Sequence, residues 1–125
     1  MRLILGIALA GAAGTLTRYA VGTSVQRWVG TVFPWGTLCV NLVGCLLFGL
    51  VVGLWETHST LNPEVRAIIL IGFMGAFTTF STLAGESAYF FREQQIAFLV
   101  FNLLLHNVLG ILAVLAGLKI ATVIS

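Results

Sequence analysis

Apolar residues run through this chain in four long blocks, approximately Leu3–Val25, Thr37–Trp55, Ala67–Phe91 and Ile96–Ile124. Each comes close to the roughly 20 residues that cross the hydrocarbon core of a bilayer as a helix. Polar and helix-breaking residues collect between them, in Gln26–Gly36 with Pro34, in Glu56–Arg66 with Pro63, and in Arg92–Gln95. The pattern predicts an all-α integral membrane protein, a single four-span transmembrane domain covering residues 1–125. One stretch interrupts it. Gly75-Ala76-Phe77-Thr78-Thr79-Phe80-Ser81-Thr82 sets glycine, β-branched residues and hydroxyls in the middle of the third block. Lipid offers the backbone no hydrogen-bond partners, so helix-weakening residues there predict a third helix broken near its middle, with the freed groups facing protein or an aqueous path.

Composition removes the soluble alternatives. The chain is 59% hydrophobic and 8% charged, with a mean hydropathy of +1.08, against about 25% charged residues in ordinary soluble domains. Met1-Arg2 and the triplet Ala8-Leu9-Ala10 imitate a secretory signal, but the apolar run continues past the triplet, so the first block is read as a retained span. Cys39 and Cys45 point to different faces of the second span and are read as packing residues. A formal charge of +2 spread this thinly carries no nucleic-acid signal.

Charge also bears on orientation, because Lys and Arg concentrate on the cytoplasmic side of a membrane. The six basic residues divide evenly: Arg2, Arg66 and Lys119 on one side, Arg18, Arg27 and Arg92 on the other. With no bias, insertion in both orientations is expected, and two such copies form an antiparallel homodimer, the two-chain form of an inverted repeat. Small-residue stripes at Gly6-Ala10-Gly14, Gly49-Gly53 and Gly110-Ala113-Gly117 predict close helix contacts.

Polar groups within the spans are the candidate chemistry. Arg18 is either an arginine snorkelling to the interface or a fixed charge at the mouth of an anion path, with Glu86 as a possible partner. Glu86 follows Thr79 and Thr82 at helical spacing, and a carboxylate there is a vestibule residue, an anchor or a proton carrier. Asn41 brings two N–H donors without charge, as an anion or a neighbouring helix needs. Asn102 and His106 stand one turn apart beside Asn107, with His106 read as a packed polar residue and His58 as a solvated connector residue. Phe80 and Leu83 share another face of span three, as core packing or with the positive ring edge of Phe80 toward an anion. No phosphate loop, metal-ligand spacing or nucleophile–base set appears, so an enzyme is not expected.

Together these features resemble the Fluc-type fluoride channels, the CrcB family, along essentially the whole chain. Three motif blocks carry the likeness: Gly11–Gly14 leading to Arg18; Gly36-Thr37 through Asn41 and Gly44; and Gly75 through Thr82 followed by Glu86. The resemblance implies passive fluoride export across the bacterial cytoplasmic (inner) membrane by a dual-topology antiparallel homodimer. It implies a structural sodium ion at the dimer centre held by backbone carbonyls of Gly75 and Thr78, consistent with the preference of hard cations for oxygen. It also implies a pathway of Asn41, Phe80, Leu83, Thr79, Ser81, Thr82, Glu86, Asn102 and Arg18. Leu83 departs from the pattern by standing where many relatives carry a second phenylalanine; Gly110 stands where some carry serine.

The competing reading is a small multidrug-resistance-type proton-coupled exporter, also a four-span dual-topology dimer. That chemistry needs an acid within span one, and Leu3–Val25 contains none.

Overall fold

Lipid leaves a chain of this composition two ways to satisfy its backbone, and long apolar runs without strand alternation select the helix. In the computed structural model, which describes residues 1–57 and 62–124, four rods long and apolar enough to cross a membrane span Arg2–Val29, Trp35–Thr57, Pro63–Arg92 and Ile96–Ile124. His58 lies outside the described residues. The first two rods are single helices, α1 (Arg2–Val29) and α2 (Trp35–Thr57). The third consists of α3 (Pro63–Ala67), a π-helical stretch Ile68–Met74, α4 (Gly75–Phe77) and, beyond a break, α5 (Phe80–Arg92). The fourth consists of α6 (Ile96–Leu104), a second π-helical stretch Leu105–Leu109 and α7 (Gly110–Ile124).

The expected spans are present, and three are longer than the hydropathy blocks. The first connector is shorter than expected. Helix α1 continues to Val29 and ends at Gly30, whose left-handed backbone (φ 64°, ψ 29°) returns its N–H to Gln26 O. Gln26 then ties the short connector down: Nε2 donates to Thr31 O at 2.8 Å and Phe33 O at 3.1 Å, and Oε1 accepts from the Gly36 N–H at 3.1 Å. These polar residues extend a helix and cap it, which hydropathy alone reads as a longer loop. At α3, Pro63 opens the first turn and Asn62 accepts the Glu64 N–H at 2.8 Å, a side-chain N-cap.

Glycines set the rod-to-rod distances. Helix α2 packs along α7, and α1 along the π stretch and α4 of the third rod. A Cβ on Gly49 would lie 2.9 Å from the Val114 carbonyl carbon and 3.1 Å from Leu118 N; one on Gly117 would lie 2.6 Å from Leu50 N. On the other seam, a Cβ on Gly72 would lie 2.9 Å from Ala10 Cβ and from Ile7 O. The stripes through Gly49-Gly53 and Gly6-Ala10-Gly14 therefore act as close backbone contacts. Gly110 does not: a Cβ there meets Cys45 Sγ at an ordinary 3.6 Å. At one end of the bundle, Phe33 packs against Trp35, Phe90, Phe98 and Phe101, joining the first connector to the α5–α6 turn. Large apolar side chains such as Ile4 (73% exposed) and Val123 (77%) cover the outside, a surface for lipid and not for water.

Substituting Gly49 by Val forces α2 and α7 apart, at about 1–3 kcal/mol for overpacking. The detergent-solubilised variant should unfold at a lower temperature than wild type. Gly22→Ala, whose Cβ would find only ordinary contacts from 3.7 Å outward, should leave the transition nearly in place.

Candidate functional site

The third rod breaks at two consecutive residues. Thr78 (φ −82°, ψ 158°) and Thr79 (φ −149°, ψ 111°) are extended between α4 and α5. In a continuous helix the Thr79 N–H would bond the Gly75 carbonyl. Here it donates to Asn41 Oδ1 at 2.8 Å, while Asn41 Nδ2 donates to Thr79 O at 3.2 Å. One amide on α2 thus satisfies both backbone groups of the residue at the break. The Thr78 N–H and hydroxyl both donate to Met74 O, each at 3.0 Å. Thr79 Oγ1 accepts the Thr82 N–H at 3.2 Å and lies 2.8 Å from Thr82 Oγ1, so it caps α5. An amide has two N–H bonds, and the second on Asn41 is left over from this clamp.

Two open grooves flank the clamp, and Thr79 is the residue common to both. Groove one, about 440 Å³, is lined by Asn41, Gly75, Thr78, Phe80, Leu83 and His106 among others. Groove two, about 460 Å³, gathers Arg18, Thr37, Thr82 and Glu86. The hydroxyl of Thr37 donates to Glu86 Oε1, and the other carboxylate oxygen is buried without a partner. Thr79, Thr82 and Glu86 do share a wall, as their spacing predicts. Arg18 joins that wall, although the hydrogen bond of Glu86 is to Thr37.

A family model described as CrcB-like protein, Camphor Resistance (CrcB), matches residues 5–118. The chain belongs to the CrcB-like family. Among its curated relatives, a fluoride-specific ion channel FluC of Nitrosococcus oceani is 48% identical over 118 residues, 94% of each chain. The protein of that name from Maridesulfovibrio salexigens is 47% identical over 124 residues, covering 99% of this chain and 98% of its own. A third, from Solidesulfovibrio magneticus, is 48% identical over 121 residues. With four apolar rods and this membership, the chain is a multi-pass membrane protein.

The motif residues of this CrcB-like chain fall unevenly about the grooves. Phe80 is 80% exposed at groove one, whereas Leu83 beside it is buried. Ser81 lies outside both walls, its hydroxyl 3.3 Å from Thr79 Oγ1. Asn102 is also outside them, fully buried, with Nδ2 donating to Ser87 Oγ at 3.2 Å. Gly75 is exposed, and a Cβ there would meet only Leu70 O, at 3.7 Å. Thr37 and Ser87 were given no role from sequence. Their partners lie 49 and 15 residues away, and no local spacing reports such contacts.

Replacing Asn41 by Leu strands the N–H and C=O of Thr79, at about 1–3 kcal/mol for each unmet group. Hydrogen exchange at the amides of the break should accelerate markedly in that variant while exchange in α2 changes little. Unchanged exchange at the break would show that the amide is not what holds it.

Proposed function

We propose that this protein is a fluoride-selective channel, not an enzyme, which lets fluoride leave the cell passively across the bacterial cytoplasmic (inner) membrane. The observation that carries this reading is the broken third rod, with uncharged donors on its walls, in a chain 47% identical along nearly its full length to a protein named as such a channel. Fluoride is small and strongly hydrated, so a pore must exchange water for several donors at once. The spare N–H of Asn41, the hydroxyls of Thr79 and Thr82, with Ser81 reaching them through Thr79 Oγ1, and the positive ring edge of Phe80 supply them without a charge that would hold the ion in place. Arg18 raises the local anion concentration at groove two, and Glu86, restrained by Thr37, borders the same mouth. A proton-coupled exporter lacks its essential group here, because α1 carries no carboxylate.

The working unit in this reading is an antiparallel homodimer inserted in both orientations. The even split of basic residues supports it, as does an unfilled face on the third rod. Nothing lies within 4 Å of a Cβ on Gly85, Gly75 is exposed, and Phe80 projects from the same rod. A sodium ion at the centre of that dimer suits the donors available. Diversion of the Thr79 N–H to Asn41 leaves the Gly75 carbonyl without its helical donor, and the extended Thr78 turns its own carbonyl out of the helical direction. Neutral oxygens are what a hard monovalent cation takes, and two copies would offer four. A bound cation there would neutralise carbonyl dipoles facing one another across the two-fold axis.

Liposomes containing the purified protein should release loaded fluoride when potassium ionophore dissipates the voltage, and should retain chloride. Phe80→Ile or Asn41→Asp should slow release by at least about tenfold, the equivalent of about 1.4 kcal/mol in the barrier, with dimer elution preserved. Replacing sodium by a bulky organic cation during purification should dissociate the dimer or abolish flux. Equal passage of chloride would refute the selectivity.

A further inference from the structure

The chain has two cysteines, two methionines and two histidines, and one of each lines groove one: Cys45 from α2, Met74 from the third rod and His106 from the fourth. The fluoride reading uses none of the three. The Cys45 thiol lies against rod four, since a Cβ on Gly110, one turn past His106, would stand 3.6 Å from Sγ. Met74 is 6% exposed and carries a polarisable thioether. His106 is 8% exposed, with Nδ1 2.9 Å from Asn102 O. A carbonyl oxygen only accepts, so Nδ1 carries a proton and Nε2 is the nitrogen left for another partner. That Nε2 is buried and has none. A ring nitrogen buried in this way calls for a partner, and an ion is among those that can serve. Bonding of the other ring N–H to a backbone carbonyl is also how metal-bound histidines are oriented. Asn102, which offers that carbonyl, is fully buried and bonded to Ser87. Among the described residues no three His, Cys, Asp or Glu gather as a metal site, so the third donor here is the thioether.

We propose that Cys45, Met74 and His106 form a binding site for one soft monovalent cation, of the silver(I) or copper(I) class. Thiolate and thioether sulfurs select such ions, and imidazole binds beside them. Binding breaks the Cys45 S–H bond and forms a sulfur–metal bond. The proton passes to the buffer, with any proton on Nε2, and no oxidation state changes. Charge then decides the valence. A monovalent cation on one thiolate is neutral, whereas a divalent ion would leave a net positive charge on a wall with no Asp or Glu to offset it. Zinc is disfavoured further because its structural sites take four donors. The sodium proposed at Gly75 and Thr78 is a hard ion on oxygens, so the two cations do not share donors. The site stands on its own donors, independently of the fluoride reading.

Calorimetric titration of the detergent-solubilised full-length protein with silver nitrate tests it, in chloride-free buffer with imidazole as competing ligand. One silver ion per chain should bind tightly to wild type and to C39S, and this tight equivalent should vanish in C45S. Cys39 provides the comparison, a half-buried thiol on the same helix that lies off the groove wall. M74L and H106Q should each weaken the tight equivalent by at least the roughly tenfold that losing even an outer partner of a metal costs. Leucine conserves the volume of methionine, so M74L keeps the fold. A tight equivalent that persists in C45S overturns the proposal. So does wild-type affinity in M74L or in H106Q, because capture by a bare thiol needs neither side chain. Only protein eluting at the wild-type position in size-exclusion chromatography is compared. Where C45S does not, C45A replaces it; where H106Q does not, M74L decides alone.

Discussion

A backbone cannot leave the helix inside a membrane unless something else answers for its N–H and C=O. At Thr79 that something is a single side chain, Asn41, which accepts the N–H and donates to the carbonyl. An amide does both at once without a charge, through separate oxygen and nitrogen atoms. Without it the third rod would close into a continuous helix or expose two polar groups to hydrocarbon. With it, Thr79 becomes an N-cap, α5 starts in a new direction, and the two grooves form on either side of the clamp. The break is therefore a contact between two spans as much as a property of the third.

That contact needs α2 to lie very close to the third rod, and small residues allow it. A Cβ on Gly44, one turn beyond Asn41 on α2, would fall 3.3 Å from the Phe77 ring and closer still to Thr78 Cγ2. On the opposite side, Gly49 and Gly117 bring the backbones of α2 and α7 together, so α2 is fixed between its neighbours. Glycines that weaken an isolated helix here permit the short distances on which the clamp depends.

The rods were readable from hydropathy because lipid imposes a length and a polarity on every span. The location of the break was readable too, since Gly75 and the threonines after it are poor choices for a lipid-facing helix. What sequence could not show was its cause, because Asn41 and Thr79 are 38 residues apart. The first connector was overestimated because Gln26 and Arg27 look like loop residues, yet they complete α1 and Gln26 ties its end down. The π-helical turns left no readable mark, for one added residue per turn does not change which blocks are apolar. His106 was legible as a polar residue on the face of Asn102. Its bond to the Asn102 carbonyl, which gives the ring a fixed orientation, was not.

The two grooves differ in charge, a difference that in the proposed channel would favour conduction over capture. Groove two contains Arg18 and Glu86, while the wall of groove one contains no Arg, Lys, Asp or Glu. A full charge beside a dehydrated ion in a low-dielectric interior would hold it strongly, since Coulomb energy grows as the dielectric falls. At a solvated mouth the same charge is screened, and it raises local ion concentration without trapping. In the proposed channel, neutral dipoles in groove one and charges confined to groove two would suit the two demands on a pore, entry and release. This arrangement also explains why a span so poor in charged residues still carries chemistry. Amides, hydroxyls and ring edges are individually weak, and their effect comes from being held in fixed directions by bonds such as those of Asn41 to Thr79 and His106 to Asn102.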